Sequence, residues 1–476
     1  MRASFLRLPS GAVVCIAAFA YGCVLSVVSL LKFRYYLTGD DHAIFTQYVW
    51  LFGHGANPFN TVNGRFLFAD HVEPGLALLA PIGAIGHVAV LLLMLQSFAL
   101  ALVAPLLYLV GRRLGVERML AGVVPLLWLL SPVVVHPNLY EFHPESLAAL
   151  AIAASALAAV SERWLPFFTL AALGCSFRED VALLYLGAGL LLVRNGRRGM
   201  GLALSAAALV WYVICVLVIL PAFGPAVHED FLRRFSSGRG NTFPALLQYI
   251  VVHPLTTVAQ MFDSTDLGIL ALLVLSTAGL CVLAPSWLLL AAPQLLLNFL
   301  SADPDQHTLV FHYYVVPFTG VALAGVAGAK RLQVRGWHRP MLRFAVVCGV
   351  FLALLSLGVL DQARKDISDA KALKASRDAA VAAVPAGRPV SVTINLSPHF
   401  AERRDIYLLS ESLVPWLVGS TWNAPQRRAR ARSVRYAVLD RTGEFDNRTY
   451  EGHLAELRAA GFHPIFRRGP LTVYHR

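Results

Sequence analysis

Charge is scarce in this 476-residue chain, where Asp, Glu, Lys and Arg make up only 14% of positions, against roughly 25% in an average soluble protein. That scarcity excludes a disordered chain and a coiled coil, both of which depend on charged surface. The six cysteines, Cys15, Cys23, Cys175, Cys215, Cys281 and Cys348, all lie inside apolar runs, and none forms a C-x-x-C pair. They read as small buried hydrophobes, which excludes a disulfide scaffold and a thiolate metal site. Walker A, H-E-x-x-H and G-x-S-x-G patterns are also missing. What the chain has instead is apolar length. Hydrophobic residues make up 57% of it, in runs long enough to cross a bilayer. It is therefore read as a polytopic membrane protein. The net charge of +12 would suggest nucleic acid in a soluble domain. Here much of it sits in short loops between apolar runs, so no nucleic-acid partner is expected.

The runs fall at 11–31, 88–111, 119–135, 146–160, 164–177, 180–193, 200–220, 266–283, 286–300, 313–329 and 341–360. They predict about eleven spans, with 75–86 as a re-entrant or interfacial stretch. The first run continues to Leu31 without the small-residue break of a cleavage site, so it is expected to be retained. Arg2 and Arg7 precede the first run, and Arg112, Arg113 and Arg118, Arg163, Arg194, Arg197 and Arg198, and Lys330, Arg331, Arg335 and Arg339 fall between alternate runs. With eleven spans they share one side, which the positive-inside rule assigns to the cytoplasm together with the N-terminus. The expected location is the cytoplasmic membrane.

The opposite side receives the polar clusters. The loop 32–75 holds Asp40-Asp41-His42 and Asp70-His71-Val72-Glu73, the link 136–145 holds Glu141, His143 and Glu145, and Arg178-Glu179-Asp180 sits between two runs with hardly any loop. Asp303-Pro304-Asp305 and His312-Tyr313-Tyr314 complete the set. An acid inside a span costs about 2.5–3.5 kcal/mol on insertion scales, which favours a wet cavity, a cation or Arg178 as neighbour. Carboxylates with neutral imidazoles also suit a divalent cation. His143-Pro144-Glu145 has the H-x-E of zinc deaminases without the P-C-x-x-C that should follow. Asp303-Pro304-Asp305 has the D-x-D of nucleotide-sugar transferases, on the side where nucleotide sugars are normally absent.

Past Leu360 the composition changes. Residues 361–384 read as a charged, Ala-rich helix, and Val390–Ile394, Ile406–Leu409, Tyr436–Leu439 and Leu471–Tyr474 read as strands. A helix is predicted at about 448–460. The expected organisation is a membrane domain over 1–360 and a small extracytoplasmic α/β domain over 361–476. Arg427, Arg428, Arg430, Arg432 and Arg435 predict a solvated basic face or contact with anionic head groups.

Asp41-His42-Ala43-Ile44-Phe45 with Gln47 and Trp50, then Asp70-His71, Phe142-His143-Pro144-Glu145, Glu179-Asp180 and His312-Tyr313 resemble the markers of domain-of-unknown-function family 2079. The chain departs from that pattern at Thr46, where a second Asp is expected, and at Glu141, where Asp is usual. The family is similar to the GT-C glycosyltransferases, multi-span enzymes that use polyprenyl-phosphate sugars and carry an acidic motif in the first extracytoplasmic loop. The protein O-mannosyltransferases and the aminoarabinose transferase are relatives in fold.

The resemblance implies a GT-C-like helical bundle. It also implies transfer of a sugar from a polyprenyl-phosphate carrier to a cell-envelope acceptor at the outer face of the membrane. Asp41 is then expected as general base with Asp40 orienting the acceptor. Arg178, His143, His312, Tyr313, Glu179 and Asp180 are expected around the substrate phosphate. His71, Asp70 and Glu145 are the candidate ligands of a divalent cation. A single displacement implies inversion at the sugar. A transporter, or a lipid-binding or scaffold protein without transferase activity, is the alternative, because intramembrane carboxylates also serve proton relays.

Overall fold

The computed structural model describes residues 10–235, 243–260, 264–409, 432–443 and 447–476. Arg427, Arg428 and Arg430 lie outside them. The first helix, α1 (Ser10–Arg34), is apolar on every side, as a helix in contact with lipid must be. Its 25 residues reach about 37 Å at 1.5 Å per residue, enough to span the hydrocarbon core. A short second helix, α2 (Asp40–Gly53), follows. The bundle continues with α3 (Val88–Arg113), α4 (Glu145–Val160), α5 (Trp164–Cys175), α6 (Val181–Arg194), α7 (Arg198–Ile214), α8 (Val315–Val334) and α9 (His338–Ala382).

Six helices among the described residues are long and apolar enough to cross a membrane. Five further apolar helices, Pro74–Ile85, Glu145–Val160, Trp164–Cys175, Val181–Arg194 and Ser264–Leu275, run 10–17 residues. The segment 118–140 is divided into the pieces Arg118–Ala121, Val123–Leu130 and Pro132–Tyr140; Pro125 and Pro132 follow the two breaks, each lacking the N–H that the helix ladder uses, while Pro137 lies inside the last piece. The runs expected at 266–283 and 286–300 are not continuous helices. Helix Ser264–Leu275 stops before Ala278 and Gly279, which both take positive φ, and the chain then turns in short 3-10 pieces until Ala292. Those turns lie directly against α6: a Cβ on Gly187 would sit 1.7 Å from the Leu289 carbonyl oxygen. The close approach depends on a glycine that the hydropathy pattern cannot single out.

Among the described residues the basic turns gather at one end, where Leu114, Glu162 and Arg197 line one cavity; Arg2 and Arg7 lie outside those residues. Lys330 and Gln333 donate to the Gly115 carbonyl, and Arg197 pairs with Glu162. In the bundle core Trp128 stacks on Phe318 at 4.8 Å and donates from Nε1 to the Leu100 carbonyl at 2.9 Å.

A small hairpin, β1 (Phe59–Asn60) with β2 (Arg65–Phe66), lies in the loop after α2. Near the C-terminus β3 (Val390–Val392), β4 (Ile406–Leu408), β5 (Tyr436–Asp440), β6 (His463–Arg468) and β7 (Leu471–His475) form one sheet in the order β4-β3-β5-β7-β6. The pairs of β3 with β4 and β5 are parallel, and β7 is antiparallel to β5 and β6. Helix α10 (Asn447–Ala459) stands near its predicted place. Strand β6 was not predicted, because it is an exposed edge strand with Pro464 and basic side chains in place of an apolar alternation. The expected boundary at 360 falls within α9, which runs unbroken for 45 residues from the bundle to the sheet. There Arg377 pairs with the buried Asp440 at 2.8 Å. Side chains Tyr36, Ala43 and Val62, from the segment between α1 and α3 that includes α2, share one hydrophobic core with Val390, Val392, Leu396, Phe400 and Ile406.

Candidate active site

Asp40 and Asp41 open α2, where the helix dipole and free N–H groups favour acids. Their end of the helix is capped from far along the chain. The Glu141 carboxylate accepts from the Gly39 N–H at 2.5 Å and from the His42 N–H at 2.6 Å. Gly39 suits this approach, since a Cβ there would meet Glu141 Oε1 at 3.0 Å. Burial, with Asp41 and Asp40 adding to it, holds the Glu141 carboxyl well above the usual range despite those two donors. Glu141, one of the two departures from the pattern named above, is therefore a structural cap that brings a third carboxyl beside the acidic pair.

These residues open onto a cavity of about 370 Å³. Asp41, Asp40, Asp70, His71, His143, Arg178, His312 and Tyr313, all expected at the site, line it. On one wall Asp41 Oδ2 lies 3.3 Å from His143 Nε2, with the Asp41 side chain 38% exposed and that of His143 6%. The His143 backbone N–H donates to Gln96 Oε1 at 2.7 Å, which fixes the segment. The His143 ring stacks on that of His312 with centroids 3.9 Å apart.

The lining also holds cationic groups. Arg178 is almost wholly buried, in contact with Glu145 through Nη1 and 3.4 Å from Asp180 through Nε, with its guanidinium 5.7 Å from the centre of the Tyr313 ring. His312 Nε2 is 3.2 Å from Glu145 Oε1. His71 Nδ1 is 3.0 Å from Glu179 Oε1, and Glu179 Oε2 accepts the Val72 N–H at 2.9 Å. Burial alone would raise the Glu179 carboxyl, but His71, Arg178 and the Val72 N–H hold it down to about 2. Burial and Arg178 oppose charge on His71, and Glu179 with Asp70 raises it above its ordinary value. For Asp70, likewise, burial is outweighed by Arg65, 3.1 Å away, and the carboxyl is lowered. Asp180 is raised by burial, with Glu179 adding to it against the pull of Arg178.

Three expected substrate or metal contacts belong elsewhere. Glu145, Glu179 and Asp180 do not line the cavity. Glu145 and Asp180 stand behind Arg178, and Glu179 behind His71, as counter-charges, and a bare carboxylate would in any case repel a phosphate. Among the described residues no group of three or more His, Cys, Asp or Glu is arranged to hold a metal ion. His71, Asp70 and Glu145 do not meet, because each faces its own partner: Glu179, Arg65 and Arg178 respectively.

The cavity also holds residues that received no role from the sequence: Tyr48, Arg65, Glu73, Tyr140, Arg234 and Asp305. Glu73 lies in the quoted Asp70-His71-Val72-Glu73 stretch, and its carboxyl is pushed up to about 8, chiefly by burial. Arg65 sits on β2 and Arg234 on a helix, Pro225–Phe235, between apolar runs. Their only sequence signal is a basic residue on the polar side of the membrane.

The family of predicted membrane proteins DUF2079 matches residues 33–435. No curated protein matches the chain by sequence. Among solved structures, ArnT from Cupriavidus metallidurans bound to undecaprenyl phosphate is similar to it at 14% identity, covering 96% of this chain and 97% of that one with a TM-score of 0.54. The apo form of that protein gives 13% identity, coverage of 96% and 98%, and a TM-score of 0.49.

Proposed function

The chain belongs to the DUF2079 family, and from that membership and the cavity's chemistry we propose that it is an integral-membrane glycosyltransferase using a polyprenyl-phosphate sugar. The observation that carries the reading is one cavity that sets the partly exposed Asp41 against Arg178, His71 and His312. The fold shared with a structure that holds undecaprenyl phosphate supports the same substrate class. Under this reading the polar end faces the outside of the cytoplasmic membrane, because the basic turns occupy the other end. The segment 361–476 then forms an extracytoplasmic domain, and the acceptor comes from the cell envelope.

In the reaction, Asp41 takes the proton of an acceptor hydroxyl while the hydroxyl oxygen bonds to the sugar's anomeric carbon. The bond from that carbon to the phosphate oxygen breaks, and its electron pair stays on the departing polyprenyl phosphate. His143 orients the Asp41 carboxylate. Arg178, with His71 and His312, meets the charge on the phosphate, inside a site where low dielectric strengthens such contacts. A single displacement inverts the anomeric centre. The donors offered for a divalent cation are held by protein partners, so the phosphate charge is assigned to these side chains and no step runs through a metal ion.

The test is sugar transfer from a polyprenyl-phosphate donor in membranes, with wild type and Asp41→Asn matched for protein amount. Removal of a general base is expected to lower the rate by about 10²–10⁴-fold. Equal rates in the two proteins would remove Asp41 from the mechanism.

A further inference from the structure

Six residues after Asp41, on the same helix, Gln47 is fully buried. Its Nε2 donates to Thr61 Oγ1 at 2.8 Å and to the carbonyls of Arg403 and Arg404 at 3.0 and 3.1 Å. Its Oε1 accepts the N–H groups of Thr61 and Val62 at 2.8 and 3.3 Å. Thr61 completes the junction, its hydroxyl oxygen accepting the Ile406 N–H at 3.0 Å. Strand β4 is an edge of the C-terminal sheet, and edges need their free backbone groups covered. Here the Ile406 N–H is covered by the Thr61 hydroxyl, which is held in turn by Gln47 of the helix that carries the acidic pair.

Nearby contacts repeat the pattern. Glu402, from the same stretch, caps the start of α3 by accepting the N–H groups of Val88 at 2.7 Å and His87 at 3.2 Å. The His399 ring stacks on Phe33 and Tyr36 at 4.2 and 4.0 Å and bonds the Phe33 carbonyl at 2.9 Å. Ala43 of α2 is buried in the sheet's core. Helix α2 is thus held on one side by Glu141 and on the other by residues 399–406.

We infer that the 399–406 segment of the C-terminal sheet is a positioning element for Asp41, acting through Gln47 as its latch. A buried amide that loses its partners leaves several backbone groups unsatisfied at once, so the latch is closed or open as a unit. When open, it frees that face of α2 from the 403–406 backbone, with Glu141 still holding the first turn. The inference rests on the transferase reading for its kinetic consequence and not for its structural one.

The experiment takes the full-length protein in lipid nanodiscs as wild type, Gln47→Leu and Thr61→Val. The second variant keeps side-chain volume and removes only the bridging hydroxyl. Amide hydrogen exchange is expected to quicken about tenfold over both residues 43–53 and residues 403–406. Transfer from a polyprenyl-phosphate sugar is expected to lose about ten- to a hundredfold in kcat with KM for the carrier unchanged, as for a displaced reacting group. Faster exchange at 403–406 with α2 unchanged would overturn the latch, whether or not transfer is seen. A raised KM with normal kcat would overturn the positioning role. Coupled exchange in a protein without transferase activity would sustain the latch and refute the transferase reading alone.

Discussion

Two cavities lie along the same helices and have opposite chemistry. The one at the basic end, about 250 Å³, is lined by Ile152 of α4, Leu184 and Leu191 of α6, and Trp287. Its charged groups are at the mouth, where Arg197 lies over Trp164 at 4.6 Å and pairs with Glu162, both side chains well exposed. The cavity at the polar end begins where those helices start, and charge is buried there: Arg178 on its lining and Glu145 and Glu179 behind it are each no more than 6% exposed. Apolar packing accounts for the first, since a helix bundle in lipid needs nothing else there. It does not account for the second, because burying ions costs more than well-packed hydrocarbon of the same size. Charge retained at that cost, in contact with a cavity of about 370 Å³, points to chemistry rather than stability.

Substitution can break this contrast most sharply through Asp41. While Asp41→Asn is expected to remove nearly all transfer, Arg197→Gln at the other end should leave transfer intact and change stability by no more than about 0.5 kcal/mol. A large transfer defect in Arg197→Gln would dissolve the distinction between the ends. Next in size is Arg178→Gln. It leaves Glu145 and Asp180 buried without their cation, and unfolding in detergent should show a loss of about 3–5 kcal/mol. Adding Glu145→Gln to it should recover part of that loss, and a strictly additive double variant would contradict the pairing.

The smallest effect is a pH dependence of the Glu179–His71 pair. Glu179 is held near 2 against an ordinary 4.5, so its contribution is present above pH 4.5 and fades as pH falls toward about 2. His71 is raised above its ordinary 6.5, so its contribution is complete below pH 6.5 and fades as pH rises through the raised value. Stability owed to the pair should peak between those limits. Glu179→Gln should flatten both flanks in a thermal-unfolding series, and unchanged flanks would remove the pair as their cause.

Much of the site was legible because its residues are polar where the surrounding sequence is not. Asp41, His71, His143, Arg178 and His312 stand out against apolar runs, and the arginine pattern put them on a common side before any geometry was known. The finer roles were hidden for physical reasons. Whether an acid touches substrate or supports a cation depends on which way its side chain turns, so Glu145 and Glu179 could not be told from Asp41 by spacing. Gln47 was visible only as part of a family pattern, since the two carbonyls that tie it to the sheet are more than 350 positions away. The break between Leu275 and Ala292 was hidden as well. Hydropathy records that a stretch is apolar, but not that Ala278 turns left-handed or that Gly187 admits the Leu289 carbonyl.

The most direct measurement is a structure of the protein in lipid with a polyprenyl phosphate bound. The phosphate should lie at the polar end, within hydrogen-bond reach of Arg178 and at least one of His71 and His312, leaving room between it and Asp41 for one sugar ring. A phosphate bound at the basic end beside Arg197, or one at the polar end with Asp41 turned away from the cavity, would contradict the assignment.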